Sequence, residues 1–221
     1  MSHQASSFIF AYMNYRNIIF DIDGTLLDTE YAILHSLQDT LYELLDKHFE
    51  QNELAFVLGI PGEVSLGKLG IEDTAEANRI WNRNFLRYKS DVQLFNGIPE
   101  LLEELRRRGY GLGIITSKNP DEFHNDFEPY GITDYFETVV CVTDAPRPKP
   151  FADPILAYLK KTGLKKEEVI YIGDTAYDFE CSRNANVDFA LAAWGNVAPN
   201  DFAPKYVFHS VDEILSSFPA H

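Results

Sequence analysis

Asn17-Ile18-Ile19-Phe20-Asp21-Ile22-Asp23-Gly24-Thr25-Leu26-Leu27-Asp28-Thr29 is the stretch on which the fold turns. Residues 17–20 have the β-branched and aromatic content of a short buried strand. Gly24 ends that pattern. Asp21 and Asp23 therefore stand two residues apart at the carboxyl end of a predicted strand, where open α/β sheets place their chemistry.

Outward from this stretch the chain changes character twice. Thr29 is placed to cap a helix over 30–47, with Ile33, Leu34, Leu37, Leu41, Leu44 and Leu45 at helical spacing. Further helices are expected over 51–57, from Pro61 to near Gly70, and over 73–88, with no strand signal between about 30 and 94. From Gly97 onward strands and helices alternate. The strands are expected over 111–116, 136–142, 169–172, 187–192 and 206–208. The helices fall over 98–108, 121–130, 151–162, 176–184 and 211–218, the last capped by Ser210. This alternation predicts parallel strands with right-handed crossovers. The fold class is α/β: a Rossmann-like core with a parallel sheet and helices on both faces, plus an inserted α-helical cap. The expected domains are a leader over 1–16, a core over 17–28 and 95–221, and a helical cap over 29–94.

The chain has 221 residues, 45% of them apolar, enough for one core with an insert. The net charge of −15 opposes nucleic-acid binding, which needs basic patches. No apolar run reaches a membrane span, and the leader has no basic segment of a signal peptide. Cys141 and Cys181 are the only cysteines and form no Cys-x-x-Cys pair. A cytoplasmic protein is expected, with no nucleic-acid or membrane partner. Monomer and homodimer both stay open.

Four polar clusters follow four predicted strands: Asp21, Asp23, Gly24 and Thr25; Thr116 and Ser117; Lys149 between two prolines; and Gly173-Asp174-Thr175 with Asp178 beyond. In a parallel sheet all these ends lie on one edge. Several carboxylates in one cleft need a cation. An all-oxygen set without histidine or cysteine suits a hard ion, Mg²⁺ being the usual choice beside phosphate. Lys149 adds a fixed positive charge, the amides around Ile22 to Thr25 add donors, and Thr116 or Ser117 adds a hydroxyl. Together they suit a tetrahedral dianion and its transition state.

The run Asp21-Ile22-Asp23-Gly24-Thr25 with Asp28-Thr29 resembles the first motif of the haloacid dehalogenase superfamily, whose members are mostly phosphatases. The other three clusters resemble its remaining motifs, in order. The resemblance implies an aspartyl-phosphate on Asp21, with Asp23 as general acid and then base. It implies that Thr116 holds a phosphoryl oxygen and that Lys149 neutralises charge on Asp21 and the phosphate. Gly24, Thr25 and Ser117 join the phosphate site. Mg²⁺ would be held by the Asp21 carboxylate, the Asp23 main-chain carbonyl and Asp174, with Asp178 binding through water or orienting the shell.

The insert resembles the small helical cap of the phosphoglycolate phosphatase and β-phosphoglucomutase branch, with hinges near 27–29 and 95–97. The implied cap contacts are Gly59, Ile60 and Glu63. Trp194-Gly195 resembles the same branch, where Trp194 packs the core edge or lines the cap interface. The implied activity is Mg²⁺-dependent hydrolysis of a small phosphorylated metabolite, phosphoglycolate first, with nucleoside monophosphates and sugar phosphates as alternatives. A mutase is disfavoured because Gly173 stands where mutases resemble a Glu-Asp pair, and a dehalogenase because Asp23 is present. A phosphate-binding protein without turnover is the non-enzyme alternative.

Overall fold

The computed structural model describes residues 15–195 and 203–220; most of the leader thus lies outside the described residues. Strand β1 (Asn17–Phe20) is followed by a two-residue strand β2 (Leu27–Asp28), which pairs antiparallel with β3 (Gln93–Leu94). Beyond them come β4 (Gly111–Ile115), β5 (Thr138–Val140), β6 (Val169–Gly173), β7 (Asp188–Ala192) and β8 (Tyr206–Phe208). These five and β1 form one sheet in the order β5-β4-β1-β6-β7-β8, every neighbouring pair parallel. β1 is central, with Phe20 beside Ile114 and Ile172.

Four helices lie between β2 and β3: α1 (Glu30–Leu45), α2 (Gln51–Leu54), α3 (Gly62–Lys68) and α4 (Thr74–Phe85). Five more belong to the sheet: α5 (Ile98–Arg107), α6 (Pro120–Asp126), α7 (Asp153–Thr162), α8 (Ala176–Ala185) and α9 (Val211–Ser217). Both faces of the sheet are covered, so β1 reads as a continuous apolar run rather than an alternating one. Ile18 and Phe20 pack with Leu101, Leu102 and Leu105 of α5 and Ile214 of α9. Ile19 packs on the other face with Ile155 and Tyr158 of α7 and Cys181 of α8. Each such fully buried side chain contributes roughly 1.5–3 kcal/mol. The insert has its own core, in which Leu34, Leu37 and Leu41 of α1 meet Ala77 and Trp81 of α4. A polar seam crosses that interface: Trp81 Nε1 donates to Ser36 Oγ at 2.9 Å and Asn84 Nδ2 to Thr40 Oγ1 at 3.1 Å.

Several elements are shorter than the sequence predicts, for local reasons. The helix expected over 51–57 tightens into a 3₁₀ turn at Ala55–Val57, ahead of Gly59 at φ +85°. The helix expected over 121–130 stops at Asp126, and Pro129 lies in a separate 3₁₀ turn over Glu128–Tyr130, because proline lacks the amide that would continue it. Thr29 and Ser210 occupy N-cap positions without a side-chain cap bond; beside Ser210, Glu213 instead accepts the His209 amide at 2.8 Å. Asn186 takes the left-handed conformation at the end of α8, φ +54°. The β2–β3 pair has no sequence signature, since two residues are too few to show alternation. It draws the two connections of the insert side by side.

Tyr158 donates a 2.6 Å hydrogen bond to Asn17 Oδ1 beneath β4. A Cβ on Gly113 would lie 2.1 Å from the Tyr158 hydroxyl oxygen. Gly113→Ala is therefore expected to lower stability by about 1–3 kcal/mol through overpacking, measured as a shift of the urea unfolding midpoint.

Candidate active site

The carboxyl edge of the sheet is built by a tight loop after β1. The Asp21 amide extends the ladder to Ile172 O at 2.9 Å, after which the amides of Thr25, Leu26 and Leu27 all turn back on Ile22 O. Gly24 adopts φ +76° and donates to Leu27 O. A Cβ there would sit 2.0 Å from Asp174 Oδ2, so only glycine lets the loop and Asp174 meet. Thr25 is fully buried, and its hydroxyl donates to Asp174 Oδ1 at 3.2 Å. The loop amides of Gly24 and Thr25 are thus engaged within the loop. Trp194 Nε1 donates to Thr25 O at 3.1 Å and its ring meets Phe95 edge-on, which places Trp194 against the loop.

Lys149 is the charge at the centre. Its ammonium group lies 2.9 Å from Asp21 Oδ1 and 2.7 Å from Asp178 Oδ1, with both carboxylates and the lysine buried. Burial pulls the lysine pKa down, but the carboxylates of Asp178 and Asp21 outweigh it and raise it above the ordinary value. Besides Lys149, the Asp178 carboxylate accepts three hydrogen bonds: Tyr171 Oη donates to Oδ1 at 2.7 Å, and the Thr175 amide and hydroxyl donate to Oδ2 at 3.1 and 2.5 Å. Its carboxylate is saturated by these donors, so it orients Lys149. Gly173 makes room for it, since a Cβ at that position would lie 2.7 Å from Asp178 Cβ.

Asp21, Asp174 and Asp178 each offer one oxygen within 4.8 Å of the others. Burial raises the Asp21 carboxyl to about 7 against the pull of Lys149. Burial, then Asp178 and Asp21, raise that of Asp174 well above the ordinary range. One ammonium among three buried carboxylates leaves an excess of negative charge, which a divalent cation would neutralise. The donors are all oxygen, so the set fits a hard cation such as Mg²⁺. With Asp178 saturated, Asp21 and Asp174 are the carboxylates free to hold it.

Thr116 is buried, and its hydroxyl oxygen accepts the Lys118 amide at 3.2 Å. Ser117 Oγ donates to Gly59 O of the insert at 2.8 Å. Between the two lobes lies a cavity of about 90 Å³ lined by Asp21, Asp23, Gly59, Ile60, Ser117 and Lys118, together with Trp81 and Asn78 of the insert. A second cavity of about 410 Å³ opens on the Asp174 side, between Phe56 and Trp194. Glu63, expected among the cap contacts, lines neither cavity and is exposed on the first turn of α3, whose buried face carries Ser65 and Leu66.

Lys118 escapes the sequence reading. It is one residue beyond the recognised Thr116-Ser117 pair, and a lysine in a loop normally reads as solvated. Here its ammonium lies 3.0 Å from Asp23 Oδ1. Burial lowers its pKa, but Asp23 and Asp126 raise it more. That Asp23 oxygen is buried against the ammonium, so the pair is held together beside the cavity. Asn78 and Asn82 are also new to the site; their one-turn spacing on α4 is the only trace in the sequence.

The sequence pattern of the haloacid dehalogenase-like hydrolases matches residues 18–192. The chain is 30% identical over 203 residues to pyrophosphatase PpaX of Bacillus velezensis, covering 90% of this chain and 94% of that one. To pyrophosphatase PpaX of Oceanobacillus iheyensis it is 29% identical, covering 92% and 97%. The crystal structure of a putative phosphoglycolate phosphatase from Lactobacillus plantarum superposes with a TM-score of 0.84 at 26% identity, over 92% of this chain and 99% of that one. With this match across most of its length and an aspartate cluster at the sheet's carboxyl edge, the chain belongs to the haloacid dehalogenase-like hydrolase family and has the catalytic architecture of its phosphatases.

Proposed function

We propose that the protein hydrolyses a small phosphorylated metabolite, with Mg²⁺, through a phosphoryl group carried on Asp21. The observation that carries this reading is Asp21 itself, buried against Lys149, beside Asp174, and lining the smaller cavity with Asp23. Asp21 attacks phosphorus through a carboxylate oxygen, forming an O–P bond as the bond to the leaving oxygen breaks. Asp23 donates a proton to that leaving oxygen. It then removes one from water, which attacks phosphorus, returns Asp21 as a carboxylate and releases inorganic phosphate. Lys149 and the Ile22 and Asp23 amides stabilise the equatorial oxygens, and Thr116 donates to one of them. Asp21 and Asp174, with the Asp23 carbonyl, would hold Mg²⁺, which supplies charge neutralisation.

A leaving group of few heavy atoms is our reading for the Asp21 side of the cleft, beside the larger cavity that Asp23 and Gly59 also line. Lys118 lines the smaller cavity and suits a second anionic group on the substrate. Two compounds meet both conditions: phosphoglycolate, our leading reading, and inorganic pyrophosphate, to which the names of the curated relatives point. Parallel phosphate-release assays on both, with sugar phosphates and nucleotides alongside, separate them. No described helix is long and apolar enough to cross a membrane, and we keep the cytoplasm as the proposed location.

Three outcomes test the mechanism. Asp21→Asn should reduce phosphate release by at least about a thousandfold while the protein remains folded by circular dichroism; turnover close to wild type would remove Asp21 from the chemistry and sink the reading. Lys118→Ala should lower kcat/KM for a doubly anionic substrate about tenfold or more, because both a charge-assisted substrate contact and the ion pair to Asp23 are lost.

The third concerns pH. With its pKa raised to about 7, Asp21 keeps a proton in the metal-free fold at low pH. Stability from this group is fully present below its unfolded value of about 4 and is lost as pH rises through about 7. A cation bound there competes with that proton. Saturating Mg²⁺ should therefore raise the melting temperature more at pH 8 than at pH 6, measured by differential scanning fluorimetry.

A further inference from the structure

We infer that Glu122 is a positioning residue: the clasp through which the core holds the helical insert closed over the small cavity. Glu122 lies in the first turn of α6, immediately after the loop that carries Thr116, Ser117 and Lys118. Its Oε2 accepts the Asn119 amide at 2.9 Å while Asn119 Oδ1 accepts the Glu122 amide at 2.9 Å. This reciprocal cap needs only one carboxylate oxygen. It fixes the side chain and aims the other oxygen across the cleft.

That second oxygen, Oε1, accepts Asn78 Nδ2 at 3.2 Å and Asn82 Nδ2 at 3.1 Å. Both donors are on α4 of the insert, four residues apart and so on one face. Asn78 is buried and packs against α3 as well: a Cβ on Gly62 would lie 2.1 Å from Asn78 Oδ1. One carboxylate thus connects the capped start of a core helix to two helices of the insert. All three side chains, Glu122, Asn78 and Asn82, line the cavity that faces Asp21. Lys89, just after α4, reinforces the same junction by reaching Asn125 O at 2.5 Å and Asp126 at 3.5 Å.

The geometry ties closure to the loop that faces the substrate. When α4 is seated, Ser117 reaches Gly59 O and Lys118 lines the cavity between the lobes. When Oε1 loses its two donors, it returns to water at little cost, so the clasp opens without harm to the α6 cap. For its effect on turnover the inference rests on the function proposed above; for its effect on closure it does not.

Pulsed electron spin resonance measures closure directly. Spin labels at Leu86→Cys, at the end of α4, and Leu156→Cys, on α7, report the insert against the core; both positions are exposed, at 60% and 51%, and the native cysteines are buried. The labelled parent should show one dominant distance. Glu122→Ala and the exposed Asn82→Ala should each broaden it toward longer distances, and the double variant should go no further than the larger single effect. Asp121→Ala, an exposed acid in the same turn, should leave it unchanged. Glu122→Ala should also lower kcat/KM about tenfold while the melting temperature of Asn82→Ala stays at the parent value.

An unchanged distance distribution in Glu122→Ala, or single effects that add in the double variant, would overturn the clasp. Shifted distances in a protein that releases phosphate from no substrate would keep the clasp and reject the proposed function. Normal turnover with unmoved labels would do the reverse.

Discussion

The buried ammonium of Lys149 between Asp21 and Asp178 is the interaction on which the site depends. Ionised carboxylates leave water only at high cost unless they are paired. Lys149 compensates two of them and, among the described residues, leaves Asp174 without a cationic partner of its own. The remaining negative charge is the physical reason the cleft calls for a cation. Tyr171 and Thr175 matter for the same reason: by donating to Asp178 they fix the carboxylate that holds the lysine beside Asp21.

Such close packing of charge is permitted by what is absent. Gly24 and Gly173 bring backbone against Asp174 and Asp178 at distances no side chain would allow. The central position of β1 sets the rest. Its two neighbours deliver Thr116 from β4 and Asp174 from β6 to the same edge, and register holds Phe20, Ile114 and Ile172 level. The substrate side is built differently. It joins a loop of the core to helices that precede it by tens of residues, through Ser117, Glu122 and Lys89, and its polar contacts are between amides, hydroxyls and single charges.

The catalytic edge was legible because its chemistry is contiguous. Asp21, Asp23, Gly24 and Thr25 lie within five residues, and the other clusters each follow an apolar run of strand length. Parallel connectivity then places all of them on one edge. The insert was legible from a long helical stretch without strands. Element ends were less so, because caps and turns respond to single partners: Glu213 in place of Ser210, Pro129 closing α6 early. The exposed Glu63 shows the limit of a short motif. Its neighbour Ile60 reaches the cavity, but the start of α3 rotates Glu63 outward.

By itself, then, the sequence determined the α/β class, the inserted helices, and the residues that are candidates to meet a phosphoryl group and a hard cation. Periodicity and local motifs encode these because they depend on neighbours in the chain. The tertiary structure alone decided that Asp178 is saturated, that Lys118 sits beside Asp23, and that Glu122 takes both Asn78 and Asn82. Each of those facts joins residues on different elements, and a lysine, a glutamate or an asparagine looks solvated in sequence until a distant partner excludes water from it.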